Sequence, residues 1–283
     1  MENTELETLR KCQLGILERL HSFCHLHGLR YSLSSGTMLG AVRHKGFIPW
    51  DDDVDIMMPR PDYDRFISMT LNGFVDGYAV VSAYNTPHYY LPFAKVIDEN
   101  TTLIELKASK GCVLGAFVDV FPLDAVPEDE KERKILYASY WKQLRRMGIV
   151  TLDFGRHESG VEAWIKRKLY RNVFGWKGRE LFLRSEGLVK SVPYDKTRRV
   201  CLYCSDYGER EIYPKAMFEE YARTDFEGLQ LDCLRDSDTY LSQLYGDYMQ
   251  LPPKGERVSR HFCYFYDWHR RWSMEELKSK GII

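Results

Sequence analysis

Asp51, Asp52, Asp53 and Asp55 place four carboxylates within five positions, directly after Trp50. Like charges this close repel strongly unless a cation or a proton intervenes. The cluster leads into Val54-Asp55-Ile56-Met57-Met58, and Pro59 ends that run. With the period of a strand, Asp53 and Asp55 face one side while Val54 and Ile56 face a core. Two carboxylates at adjacent outward positions of a rigid strand suit a hard divalent cation, Mg²⁺ or Mn²⁺, held through oxygen. An isolated D-x-D is more often a solvated loop capping the next helix, and here the upstream segment decides between the two readings.

Those carboxylates need elements to position them, and the residues upstream read as strand, tight turn and helix. Leu29 to Leu33 is β-prone, Ser34-Ser35-Gly36-Thr37 is a turn, and Met38 to His44 is a short helix stopped by Lys45-Gly46. Gly36 lets backbone approach a ligand, Ser34, Ser35 and Thr37 are expected to cap the helix, and its N-terminal N–H groups form an anion site. A phosphate cradle joined by one helix to paired carboxylates is the minimal apparatus for phosphoryl transfer.

The stretch from Ser35-Gly36-Thr37-Met38-Leu39-Gly40 through Phe47-Ile48-Pro49-Trp50 to Asp51-Asp52-Asp53-Val54-Asp55-Ile56 resembles the signature of the LicD family. The family comprises phosphocholine transferases of bacterial surface glycans, related to the fukutin group and placed in the nucleotidyltransferase superfamily. The likeness continues in Phe93-Ala94-Lys95-Val96, in Phe117-Val118-Asp119-Val120-Phe121-Pro122-Leu123-Asp124, and from Leu244-Tyr245-Gly246-Asp247 through Pro252-Pro253 to Arg257-Val258-Ser259. It spans about residues 10 to 265, apart from the region between about Thr151 and Arg199. The resemblance implies CDP-choline as donor, a glycan or lipid-linked glycan such as lipopolysaccharide or teichoic acid as acceptor, and attack at the distal phosphorus. Attack at the phosphorus nearer the nucleoside would make the chain a nucleotidyltransferase with the same residues. A catalytically inactive binding protein on the same fold is the reading outside enzymes, and the presence of all three carboxylates argues against it.

Lys95 and Asp119 each lie inside an apolar run, where an unpaired charge is costly. Lys95 is expected to contact a phosphate or to snorkel from a sheet edge. Asp119 is expected to be a third carboxylate beside Asp53 and Asp55, either a metal ligand or the base for the acceptor hydroxyl, with a cap or a salt bridge as the plainer reading. Asp124 is expected at a turn or cap. Ser35, Gly36, Thr37, Arg43, His44, Trp50 and Lys95 are the expected substrate-binding set. A quaternary ammonium group can only be met by cation–π contact, for which Trp50, Tyr89 and Tyr90 are the nearby aromatics.

The 283 residues suffice for one large or two small domains, and the net charge of −1 gives no bias toward nucleic acid. The expectation is an α+β protein. Residues 1–150 would form a nucleotidyltransferase-like core on a mixed sheet, and residues 151–283 a basic helical insertion and a C-terminal segment completing the active site. A helix is expected from Pro127 to Gly148. Between Arg156 and Arg199 stand 12 Lys/Arg against 5 Asp/Glu, interleaved with Trp164, Ile165, Leu169, Tyr170 and Phe174. That pattern suits a packed helix with a solvated basic face, or peripheral contact with an anionic membrane or polyanionic acceptor. Lys254, Arg257, Arg260 and His261 form a cationic patch after two prolines. No long apolar run or signal peptide opens the chain, so a cytoplasmic enzyme is expected, peripheral at the inner face of the membrane. Seven scattered cysteines suit a reduced compartment. Ordinary packing is favoured over zinc for Cys201-x-x-Cys204, and a structural or solvent-facing role for His21, Cys24, His25 and His27.

Overall fold

Leu9, Ile16, Leu17, Leu20 and Cys24 recur at helical spacing and form the buried stripe of helix α1 (Asn3–His27). Burying each leucine or isoleucine is worth about 1.5–3 kcal/mol, so this stripe pins the helix to the core. The computed structural model describes residues 3–105, 112–151, 165, 168–169, 172, 177–259 and 263–283. The basic side chains Lys166, Arg167 and Arg171, with Trp164, Tyr170, Val173, Phe174 and Trp176, lie outside the described residues, as do Arg260 and His261.

The chain is α+β, as expected. Strands β1 (Ser32–Leu33), β2 (Asp55–Pro59), β6 (Phe117–Ala125), β4 (Ala94–Asp98) and β3 (Tyr78–Val81) lie side by side in that order. β2 and β6 run parallel, and the other neighbours are antiparallel, which makes the sheet mixed. At the far end of β6, Asp124 and Ala125 pair with β7 (Arg199–Cys201), which pairs in turn with β8 (Ile212–Pro214). Two smaller pairs complete the described strands, β5 (Thr102–Glu105) with β11 (Cys263–Asp267) and β9 (Tyr221–Phe226) with β10 (Leu229–Leu234). Ile56, Met57 and Met58 are all buried, so β2 is covered on both faces.

One hydrophobic cluster draws on Ile16, Ile56, Val118, Val200, Phe226 and Tyr240 alike. A division at residue 150 therefore does not separate two cores. The later segment adds strands to the sheet that the earlier one begins.

Helix α2 (Ser35–His44) starts three residues earlier than the sequence suggested, and α3 (Arg60–Thr70) follows β2 with Pro61 in its first turn. Helix α4 begins at Glu130 rather than Pro127, because Asp129 Oδ1 accepts the Glu132 N–H, and it continues past Gly148 to Thr151. A glycine inside a helix costs only about 1 kcal/mol. Packing of Met147 against Leu181 and Phe182 of α5 (Gly178–Lys190) offsets that cost. Asp124 is neither a turn nor a cap residue. It is buried, and Arg60 donates to both its oxygens at 2.6 and 2.7 Å. Cys201 packs among Val126, Leu136, Tyr140 and Tyr203. Among the described residues, no helix is long and apolar enough to cross a membrane.

Candidate active site

Pairing of β2, β6 and β4 sets Asp55 opposite Asp119 and Asp119 opposite Lys95, one row across three adjacent strands. Directly paired residues share a face, so the three side chains project together. The Asp55 backbone is fixed on both edges. Its N–H donates to Thr37 Oγ1 at 2.8 Å, and its carbonyl accepts from the Ser34 N–H at 3.0 Å. The same bonds seat the start of α2 beside the carboxylates. An added Cβ on Gly36 would lie 3.0 Å from Asp51 Oδ2, so a side chain there would press on that carboxylate.

Burial, then Asp53, Asp119 and Asp51, push the Asp55 carboxyl well above the usual range, and Lys95 only partly opposes them. Asp51, Asp52 and Asp53 bring one oxygen each to within 4.8 Å of one another. Asp53, Asp55 and Asp119, the set expected from the sequence, form no equally tight trio. Asp119 instead accepts from Lys95 Nζ at 2.7 Å. An all-oxygen group of half-buried carboxylates fits a hard divalent cation in its donor chemistry.

Lys95 does not snorkel from an edge, because β4 lies inside the sheet between β6 and β3. Its buried ammonium is turned toward Asp119 and, at 3.4 Å, toward Glu105 Oε1, and it lies 3.4 Å from the centre of the Phe117 ring. Burial alone would lower its pKa, but Asp119 and Glu105 outweigh burial and raise it, so the side chain stays cationic. A phosphate contact would have to compete with both carboxylates.

The turn also differs in detail. Ser34 occupies the cap position without a capping bond, because its hydroxyl meets Ser35 Oγ and Tyr240 OH, each at 3.4 Å. The Ser35 N–H donates to the same tyrosine oxygen at 3.4 Å. Ser35 holds a φ of 44°, a conformation uncommon for a residue with a side chain and concentrated at functional sites. Tyr240 belongs to helix α6 (Ser237–Tyr245), and nothing local in the sequence ties it to a turn some 200 residues earlier.

At the other end of α2, Arg43 donates to His44 Nε2 at 3.0 Å and to the Tyr248 carbonyl at 2.6 Å. Burial, followed by the nearby Arg43, holds His44 below the usual histidine range. The His44 and Trp50 rings meet edge to face at 6.3 Å, and the Arg257 guanidinium lies 5.5 Å from the Trp50 ring. Arg257 is thus a described member of the cationic patch that reaches the site. Of the aromatics considered for an ammonium group, Trp50 borders the site. Tyr89 does not qualify, because it is buried and its hydroxyl donates to the Phe93 carbonyl at 3.0 Å. Tyr90 packs with Ala83, Met147, Leu181 and Phe182.

Supports that local sequence does not disclose come from α1. Arg10 donates to the carbonyls of Ile48, Pro49 and Asp51, and Gln13 to that of Asp52. Tyr245 stands near enough for Asp55 to contribute to raising its pKa, although burial is the larger cause.

Residues 28–146 match the family model described as LicD/FKTN/FKRP, nucleotidyltransferase domain. The lipopolysaccharide cholinephosphotransferase LicD of Haemophilus influenzae is 32% identical over 267 residues, covering 90% of this chain and 96% of that protein. Uncharacterised proteins of Rickettsia typhi and Rickettsia prowazekii are 41% and 43% identical over 51 and 47 residues, 18% and 17% of this chain, and 16% and 18% of their own.

Proposed function

The chain belongs to the LicD family, and from that premise we propose that it transfers phosphocholine from CDP-choline to a hydroxyl of a cell-surface glycan precursor, with lipopolysaccharide as the acceptor class. One observation carries this reading. The Asp55–Asp119–Lys95 row stands beside the N-terminus of α2, in a chain that aligns over nine-tenths of its length with a cholinephosphotransferase.

Each residue then has work suited to its place. The N-terminus of α2 at Ser35, Gly36 and Thr37 offers N–H and hydroxyl donors to the donor's phosphates, and Arg43 adds charge from the far end of the helix. His44, Trp50 and Arg257 line the flank where a head group or nucleoside would rest, with the Trp50 face suited to a quaternary ammonium. Asp119, held by Lys95, would serve either as a third metal ligand or as the base that takes the proton of the acceptor hydroxyl. Asp53 and Asp55, beside Asp51 and Asp52, would hold Mg²⁺ or Mn²⁺, which supplies positive charge against the phosphate oxygens when bound. The fold would be that of a nucleotidyltransferase. The basic stretch between Arg156 and Arg199 would bring the enzyme to a lipid-linked acceptor at the inner face of the membrane.

The family description also names nucleotidyltransferases, and that reaction would use the same groups on the other phosphorus. Incubation with CDP-choline, Mg²⁺ and a candidate glycan should release CMP and add a phosphocholine mass to the sugar. Release of phosphocholine with a cytidylylated sugar would replace this reading with the nucleotidyltransferase one. No turnover of CDP-choline with any acceptor would overturn both the donor and the reaction.

A further inference from the structure

His21 and His25 lie one turn apart on α1, and β10 brings Asp232 against them. One ligand atom from each lies within 4.8 Å of the other two, and His25 Nε2 is 2.9 Å from Asp232 Oδ2. The other two members of the helical group are spent elsewhere. Cys24 is wholly buried in the core, and the His27 ring packs on Phe23 at 4.3 Å.

The point on which the three side chains converge is held by the guanidinium of Arg223, from β9. Its Nη1 lies 2.6 Å from His21 Nε2, its Nη2 lies 3.0 Å from His25 Nε2, and its Nε lies 3.3 Å from Asp232 Oδ1. The Gln230 carbonyl accepts from Nη1 as well, at 3.0 Å. A guanidinium only donates, so His21 Nε2 is the acceptor and its Nδ1 carries the hydrogen. That hydrogen points to Tyr31 OH at 2.6 Å. A lone pair presented on one nitrogen, with the other nitrogen braced by an oxygen, is how a metal-ligating imidazole is prepared.

We propose that His21, His25 and Asp232 form a second metal site, for a borderline transition ion of the Zn²⁺ class, with Arg223 as the internal cation that the metal displaces. Two imidazoles and a carboxylate are zinc donors, whereas the all-carboxylate group beside α2 suits harder ions. Zinc bonds of about 2.0–2.1 Å in a tetrahedron set ligand atoms about 3.3 Å apart, so the 2.9 Å His25–Asp232 pair must open slightly as the three side chains re-space around the ion. The His25 and Arg223 side chains, each 46% exposed, have the freedom to do so. The ion would clasp α1 to the β9–β10 hairpin. That hairpin is tied to β1 by the Asp232 N–H on Tyr31 OH at 3.2 Å and the Leu234 N–H on Ser32 Oγ at 3.0 Å. β1 runs directly into the turn at Ser34.

Calorimetric titration of the full chain, stripped of metal, with Zn²⁺ alone should give one site that His25→Ala and Asp232→Asn each abolish while far-ultraviolet dichroism stays that of the wild type. Arg223→Gln should bind about tenfold more tightly, the scale on which groups just outside a metal's ligands act. Co²⁺ in place of Zn²⁺ should show ligand-field absorption without a thiolate charge-transfer band, which separates this site from the cysteines. Absence of Zn²⁺ binding by both the wild type and Arg223→Gln would overturn the proposal and leave Arg223 a purely structural clasp. Binding that survives His25→Ala and Asp232→Asn, or a thiolate band with Co²⁺, would overturn it equally.

Discussion

Asp55 stands where the strand, the turn and the acidic loop meet, and its surroundings determine what its loss should do. Thr37 and Ser34 fix its backbone through main-chain atoms, which any substituent retains. Its carboxyl, by contrast, is pushed up by burial and by Asp53, Asp119 and Asp51, so the side chain adds to a repulsion within the apo protein. Alanine at Asp55 or Asp53 should therefore leave the fold standing, as unfolding midpoints would report. Turnover should fall by about two orders of magnitude or more, the scale expected when charge stabilisation at a transferring phosphoryl group is lost. Chelation of divalent ions should abolish transfer, and added Mg²⁺ should restore it. A double variant with near-normal turnover, or activity indifferent to chelator, would show that these carboxylates hold no essential ion. Lys95 carries a different lesson. A cation inside an apolar run signals a buried anion nearby, but the sequence does not say whether that anion belongs to a ligand or to the chain. Asp119 is the directly paired residue on the next strand, a register that becomes visible only once the sheet is built.

At the scale of elements, α2 packs tightly against the loop that follows it. An added Cβ on Gly40 would fall 2.4 Å from the Gly46 carbonyl oxygen and 3.3 Å from the Ile48 nitrogen, both backbone atoms with no side-chain torsion to relax. Gly40→Ala should thus push α2 away from the loop leading to the carboxylates. The expected cost is about 1–3 kcal/mol of stability, as for other overpacked sites, with turnover falling as well. Gly36→Ala meets only a carboxylate oxygen of Asp51 at 3.0 Å, which can rotate away. Its stability should stay near that of the wild type while activity drops. Thermal unfolding and turnover of the pair check this, and a fully stable Gly40→Ala would refute the packing account. The strand carrying Asp55 was legible because a short apolar run and a terminal proline are local signals, although its burial does not alternate. The caps were less legible. Ser34 is a good capping residue by type, but Tyr240 takes its hydroxyl, and α4 runs through Gly148 because α5 packs across it. Tertiary partners overrode local preference in both cases.

At the scale of the whole molecule, the site is closed by residues far apart in the chain. Arg10 and Gln13 hold the acidic loop from one side, and Tyr240, Tyr245 and Arg257 approach from the other. The acidic motif was readable because its residues are contiguous, whereas these supports were not, because a contact across 40 or 200 positions leaves no local pattern. The same long-range packing buries Glu211, beside Tyr213, Tyr240 and Cys201, with no exposure to solvent. Burial raises its carboxyl from 4.5 to about 7. A carboxyl whose pKa is raised on folding binds its proton more tightly in the native state. Its contribution to stability is therefore fully present below the unfolded value and is lost as pH rises through the folded one. Between about pH 4.5 and 7 the protein should lose on the order of 3 kcal/mol through this one group. Glu211→Gln has no proton to release, so it should match the wild type in unfolding temperature at about pH 5 and exceed it by roughly 5 °C at about pH 8. Comparing the difference between the two proteins at each pH removes the titration of every other group from the measurement. A gap of the same size at both pH values would mean that Glu211 stays ionised in the folded chain, with its charge met by a partner.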